Sequence, residues 1–146
     1  MSVRVVCDAS ALVALLLDAG PDGRWATDAL TGADIAAPSL MMFEASNIIR
    51  RHELARLISA DQAAQAHADM LDLAVEQWPY ELLGPRIWEL RGNLSSYDAS
   101  YVALAEYAEA TLVTLDKRIS RAPDLRCTVA MPEHREQGQR EPRRLA

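Results

Sequence analysis

The 146-residue sequence predicts an α/β fold built on a central, mostly parallel sheet, and three observations carry that prediction. Short apolar runs alternate with longer stretches of helical period along the whole chain, the pattern of βαβ units. The first run, Val3 to Cys7, is β-branched without polar alternation, as a strand covered on both faces requires. Two of the runs, "VRVVC" and "TLVTL", lead straight into an acid, Asp8 and Asp116. In parallel sheets ligands gather at the carboxyl ends of the strands, so these two acids can meet although they are remote in sequence.

Taken in order, Val3 to Cys7 is the first strand and "ASALVALLLDAG" a short helix that stops near Gly20 and Pro21. "DGRWATDALTG" is a second helical stretch ended by Gly32, and "ADIAAP" a brief strand closed by Pro38. Ser39 is positioned to cap the long helix "LMMFEASNIIRRHELARL". Ser59 and Gln62 have capping-box spacing ahead of a helix running to about Ala74. "EQWPYELLG" reads as strand then turn, with Pro85 opening the helix "RIWELRGNL". "SSYDASYVALAEYAEA" is a helix, "TLVTL" a strand, "DKRISRA" a short helix or turn, and "RCTVAMP" the last strand. There is no internal repeat. Residues 1–132 therefore read as one domain and 133–146 as a polar tail, whose Arg140, Arg143 and Arg144 serve solubility more readily than RNA contact.

A net charge of −6 argues against gripping nucleic acid by bulk electrostatics, which shows as a basic excess. It leaves room for local contacts, and because Lys117 is the only lysine those contacts would be arginine forks. Cys7 and Cys127 sit in apolar runs without metal-ligand spacing, as small buried hydrophobes in a reducing compartment do. No apolar run reaches bilayer length and the N-terminus lacks a secretory h-region, so the expectation is a cytoplasmic protein with no membrane association.

Two further acids stand out. Glu44 shares a helical face with Leu40, Asn47, Ile48 and Arg51, and an acid on a largely apolar face needs a partner. Asp98 opens the helix before "TLVTL"; a helix start is not automatically at a strand's carboxyl end, so a tilted crossover has to bring it there. Four carboxylates gathered without a cation repel one another, and the remedies are a raised pKa or a bound metal. A hard divalent ion, Mg2+ or Mn2+, takes oxygen ligands, keeps several waters and suits phosphodiester hydrolysis by a bound water attacking phosphorus in line. Each acid also has a plain structural role open to it: Asp8 and Asp116 as helix N-caps, Asp98 as the partner of Ser95 in a capping box, and Glu44 in a pair with Arg51 or a neighbouring helix.

"VVCDASALVALLL", "FEASNIIRR", "SSYDASYVALAE" and "LVTLDKRI" together resemble, in their order and over the chain to about Pro132, the PIN-domain ribonucleases and among them the VapC-type toxins of bacterial toxin–antitoxin pairs. The resemblance implies a three-layer α/β/α sandwich with a central, mostly parallel sheet. It puts the family's acids on Asp8, Glu44, Asp98 and Asp116 as catalytic and metal-binding residues. Of these, Asp8 and Asp98 are the foremost expected direct ligands, and Glu44 and Asp116 are expected to reach the metal through water or to act as base. Its supporting hydroxyls fall on Thr114 and Ser10, and Asn47 joins Glu44 on the same helical face. It further implies Mg2+- or Mn2+-dependent cleavage of RNA, a cognate antitoxin that blocks the site, and a homodimer. Arg50, Arg51, Lys117 and Arg118 are the candidates for RNA phosphate, with a solvated helix face as the equal alternative.

His52, His67 and His134 have no acid or cysteine at motif spacing and are assigned no role. Trp25, Trp78 and Trp88 are read as packing or interface residues, and Met41 and Met42 as core or partner-covered. Two other classes compete: a receiver-like signalling domain with an acidic Mg2+ pocket, and a non-catalytic interaction domain that uses its acids as caps. A receiver expects adjacent acids after the first strand, where Asp8 stands alone.

Overall fold

In a computed structural model, residues 2–134 are described. Five strands form one fully parallel sheet in the order β3-β2-β1-β4-β5. They are β1 (Arg4–Cys7), β2 (Asp34–Pro38), β3 (Val75–Trp78), β4 (Thr111–Val113) and β5 (Val129–Ala130). Between them run α1 (Ala9–Leu17), α2 (Pro21–Leu30), α3 (Leu40–Leu54), α4 (Ala60–Asp72), α5 (Tyr80–Glu89), α6 (Ser96–Tyr107) and α7 (Lys117–Arg121). Successive residues of the central strands, Val5, Val6 and Cys7, then Ala36 and Ala37, then Leu112 and Val113, are all buried. Because side chains alternate between faces, helices must cover both sides, which is the three-layer arrangement expected. The strand order also separates the fold from the receiver-like alternative, whose doubly wound sheet runs 2-1-3-4-5.

Register sets the site. Val5 pairs with Thr111 and Cys7 with Val113, and the Asp8 N–H continues the ladder onto the Val113 carbonyl at 3.2 Å. Asp8 therefore leaves the sheet beside Thr114, while the Thr114 N–H bonds Ala130 at 3.1 Å on the far side.

Several local expectations hold and several change. Ser59 and Gln62 close a full capping box on α4, though the helix ends at Asp72 rather than Ala74. Gly23 is required where α2 turns back on α1, because a Cβ there would lie 1.6 Å from the Asp18 carbonyl oxygen. Ser39 does not cap α3 with its side chain; both its N–H (2.9 Å) and its hydroxyl (3.1 Å) donate to the Trp78 carbonyl, fastening α3 to the end of β3. Pro85 does not open a helix. Pro79 is the N-cap, α5 starts at Tyr80, and Pro85 lies inside it on an exposed position, where one lost bond to a solvent-facing carbonyl is tolerated. The last strand shrinks to two residues, since Thr128 and Ala130 suffice to pair β4.

Away from the sheet edge, Arg86 of α5 clasps Glu106 of α6 through Nε at 2.6 Å and Nη2 at 3.1 Å, and also reaches the Asp124 carbonyl at 2.9 Å. Trp25 and Trp78 are partly buried against the core, whereas Trp88 is exposed with the Arg91 guanidinium 4.6 Å above its ring. Met41 is fully buried and Met42 partly so, and Cys7 and Cys127 are free thiols, the first buried. His134 meets Asp22 of α2 at 2.5 Å, an acid too far away in sequence to be seen as its partner. Arg140, Arg143 and Arg144 lie outside the described residues. No helix among the described residues is long and apolar enough to cross a membrane.

Candidate functional site

Asp8 is the anchor of the site. Only 4% exposed, it is the N-cap of α1: Oδ1 accepts from the Ala11 N–H at 3.0 Å and from Ser10 Oγ at 2.7 Å, and Oδ2 accepts from Thr114 Oγ1 at 2.5 Å. Burial pushes its carboxyl up to about 6 against the pull of those three donors, and the nearby charge of Asp116 adds to the rise. The same two hydroxyls reach onward to β4's exit, where Ser10 Oγ accepts the Leu115 N–H (3.1 Å) and Thr114 Oγ1 accepts the Asp116 N–H (2.9 Å). Two short polar side chains thus lock the loops after β1 and β4 into one piece.

Asp116 caps α7 through the Arg118 N–H at 2.9 Å. Its carboxylate also takes Arg118 Nε at 3.2 Å and Nη2 at 2.8 Å, which hold it below the usual carboxylate range. Asp98 sits in the first turn of α6, whose N-cap Ser95 accepts the Asp98 N–H at 3.1 Å, one arm of the expected capping box. Burial raises its carboxyl, the charge of Asp116 raises it further, and Arg118 opposes. Glu44, half-buried on α3, is raised first by burial and then by Asp98, while the Tyr101 hydroxyl, donating at 2.5 Å, favours its charged form. Tyr101 in turn feels the charge of both Glu44 and Asp8.

Hydrogen bonds join Asp8 to Asp116 through Thr114, and Glu44 to Tyr101, which shares α6 with Asp98; the charge of Asp116 raises the carboxyls of Asp8 and Asp98, and that of Asp98 raises Glu44's. Asp98 needs no tilted crossover. A helix that leads into a parallel strand runs antiparallel to it, so α6 begins at the carboxyl edge, beside Pro38 and Ser39 at the exit of β2. Linked is not clustered: among the described residues no three acid, imidazole or thiol groups stand close enough to enclose an ion by themselves.

Asn47 is exposed one turn beyond Glu44, and no hydrogen bond joins its side chain to the acids among the described residues. Of the cationic candidates, Arg51, Lys117 and Arg118 line a cleft of about 730 Å3 together with Ser10 and Asp116; Arg50 is exposed but does not line it. His52 also lines that cleft and His67 is exposed on α4. Tyr101 joins the site without a motif to mark it. Its spacing of three from Asp98 puts it on the same helical face, the one sequence signal that pointed to it.

The PIN domain family model matches residues 5–125. Ribonuclease VapC9 of Mycobacterium tuberculosis is 38% identical over 127 residues, covering 87% of this chain and 97% of the relative. PAE2754 from Pyrobaculum aerophilum, a crystal structure, superposes with a TM-score of 0.58 at 32% identity over 82% of this chain and 84% of that one. VapBC2 from Rickettsia felis, solved bound to a DNA fragment from its promoter, shares the fold at a TM-score of 0.62, 16% identity and coverage of 88% and 98%. Matched over most of its length by the family model and by a relative well above 30% identity, the chain belongs to the PIN-domain family.

Proposed function

We propose that the chain is a metal-dependent endoribonuclease acting as the toxin of a toxin–antitoxin pair, hydrolysing RNA phosphodiester bonds. The observation that carries this reading is the bonded pair Asp8 and Asp116, bridged by Thr114, with Asp98 and the Tyr101-bound Glu44 at the same sheet edge, beside a cleft lined by Arg51, Lys117 and Arg118. The names of its relatives support the same class of reaction, ribonuclease, and VapBC structures among its fold neighbours support a cognate antitoxin as partner.

The donor set fits a hard divalent ion. All four groups are oxygen ligands, and the carboxyls of Asp8, Asp98 and Glu44 are raised first by burial and further by a neighbouring acid's charge, both of which a cation offsets. Asp8 and Asp98 would hold Mg2+ or Mn2+, and Glu44 and Asp116 would support it or act as base. Mg2+ keeps several waters and leans on few protein carboxylates, so a site where no three such groups stand together among the described residues is compatible with it. When bound, such an ion supplies a nucleophile at neutral pH and neutralises charge on the phosphoryl oxygens.

The chain's own groups do the rest. Ser10 and Thr114 keep both Asp8 oxygens oriented as acceptors. Glu44, its charged form favoured by Tyr101, is our candidate to take a proton. Arg118, Lys117 and Arg51 line the path of substrate phosphate. An antitoxin arm carrying arginine would meet the same acids and so block the site. A cytoplasmic homodimer completes the proposal.

Purified protein with RNA and Mg2+ or Mn2+ tests it. Cleavage leaving 5′-phosphate and 3′-hydroxyl ends, abolished in Asp8→Asn and by chelator, is the expected result. No cleavage, cleavage that survives Asp8→Asn, or 2′,3′-cyclic phosphate ends would overturn it.

A further inference from the structure

A second, smaller hollow of about 410 Å3 opens at the carboxyl ends of β2 and β3, where the first turns of α3, α5 and α6 meet. Trp78, Tyr80 and Tyr97 supply aromatic walls, Leu40 and Leu83 apolar ones, and Ser100 a hydroxyl. Its volume falls in the range of small-ligand sites. Tyr80 and Tyr97 are 59% and 65% exposed, so their rings are offered to solvent rather than used in the core.

Two observations say what it takes. The hollow abuts the acids: Tyr97 directly precedes Asp98, and Leu40 lies one turn of α3 before Glu44. Trp78, part of its wall, also carries a buried ring N–H that finds no acceptor among the described residues. A buried donor without an acceptor is a cost to the fold, and an incoming carbonyl oxygen or ring nitrogen would relieve it if the indole turned from its edge-on packing against Tyr107, whose ring centroid lies 5.2 Å away. Aromatic faces with one unsatisfied donor, next to carboxylates suited to a phosphate and its cation, match a nucleotide rather than an apolar peptide.

The geometry points to a seat for one unpaired RNA base, stacked on Tyr97 and Tyr80 over Trp78, adjacent along the strand to the phosphodiester at the acids. This rests on the ribonuclease reading above and adds to it a determinant of which sequence is cut. The competing occupant is a second copy of this chain, whose side chains would cover the exposed rings but have no need of the neighbouring acids.

The test reads the indole N–H resonances of the uniformly 15N-labelled full chain without divalent metal. Trp25, Trp78 and Trp88 give three signals, and Trp78→Phe assigns one of them. The four nucleoside 5′-monophosphates and ribose 5-phosphate are titrated in turn. The expected result is a downfield shift of the Trp78 signal with at least one nucleotide and none with ribose 5-phosphate. Tyr97→Ala, an exposed change, should weaken that binding about tenfold, as loss of a base-stacking ring does. A Trp78 signal unmoved by all four nucleotides, moved equally by ribose 5-phosphate, or unaffected in affinity by Tyr97→Ala overturns the base seat. So does a signal that moves on dilution and ignores nucleotides, which would assign the hollow to a second copy. Parallel cleavage assays separate the two readings: RNA cut with no Trp78 response removes the base seat alone, and a response without cleavage removes the ribonuclease alone.

Discussion

Thr114 donates its hydroxyl proton to Asp8 across 106 positions of sequence, at 2.5 Å, while the same oxygen accepts the Asp116 N–H at 2.9 Å. One fully buried hydroxyl therefore fixes the spacing of two acids just beyond the ends of adjacent strands. Thr114→Val keeps the shape but removes both bonds, leaving the Asp116 N–H without its acceptor. The expected loss is about 1–3 kcal/mol of unfolding free energy in urea, with Thr114→Ser recovering most of it. RNA cleavage should fall at least tenfold in the valine variant and return with serine. A valine variant as stable and as active as the parent would show that the bridge fixes nothing.

Asp8 makes the metal-free fold pay for its buried charge as pH rises. Its carboxyl is raised from 3.8 to about 6, so between those values the folded state holds the proton that the unfolded state has released. The stabilising contribution is complete below 3.8 and is lost as pH climbs through about 6, a change on the order of 3 kcal/mol. Asp8→Asn removes the titration. In chelator, the stability of Asp8→Asn relative to the parent should therefore increase steeply between pH 4 and pH 7 and level off above. Added Mg2+ should raise the melting temperature of the parent and leave Asp8→Asn unmoved. A relative stability independent of pH would mean that burial of Asp8 is compensated by groups other than its three donors.

Those relationships also show what a sequence can and cannot disclose. Asp8 and Asp116 were legible because a parallel sheet sends every strand exit to one edge, and register alone then sets Asp8 beside Thr114. Capping and convergence looked like rival roles for these acids, yet Asp8 caps α1 with one oxygen and meets Thr114 with the other. Asp98 was placed correctly for the wrong cause, since helix direction brings it to the edge without any tilt. Tyr101 was hidden because its bond to Glu44 spans 57 positions and two helices, and no local spacing encodes such a contact. Pro85 misled for a related reason: proline favours a helix start, but Pro79 already occupied that place and the interior cost was affordable at an exposed turn.

Tyr101 should set the lower edge of the pH range in which RNA is cut. Its hydroxyl bond favours charged Glu44, opposing the burial and the Asp98 charge that raise that carboxyl. Tyr101→Phe removes only the opposing influence, so Glu44 becomes harder to ionise and the acidic limb of kcat/KM against pH moves to higher pH. Because Glu44 is half-buried and can rehydrate, the stability cost should stay near 0.5–1.5 kcal/mol. The profile in Mg2+ is the check. An unshifted acidic limb would exclude Glu44 as the group whose ionisation governs the rate.

Arg118 presents the opposite economy, a close ion pair that is cheap to break. Its guanidinium reaches Asp116 at 2.8 and 3.2 Å, yet its side chain is 79% exposed, and exposed pairs contribute only about 0.2–1 kcal/mol. It can therefore leave Asp116 for a substrate phosphate with little loss to the fold. Arg118→Ala should change unfolding free energy by no more than about 0.5 kcal/mol. If it contacts RNA, KM rises while kcat holds, and the slope of log affinity against log salt shrinks by about 0.7, one phosphate contact on a single strand. If its work is confined to Asp116, the salt slope stays as it was and the change falls on metal affinity instead, because the freed carboxylate no longer shares its oxygens. Binding of a short RNA to the Asp8→Asn background across a salt series distinguishes the two without cleavage intervening.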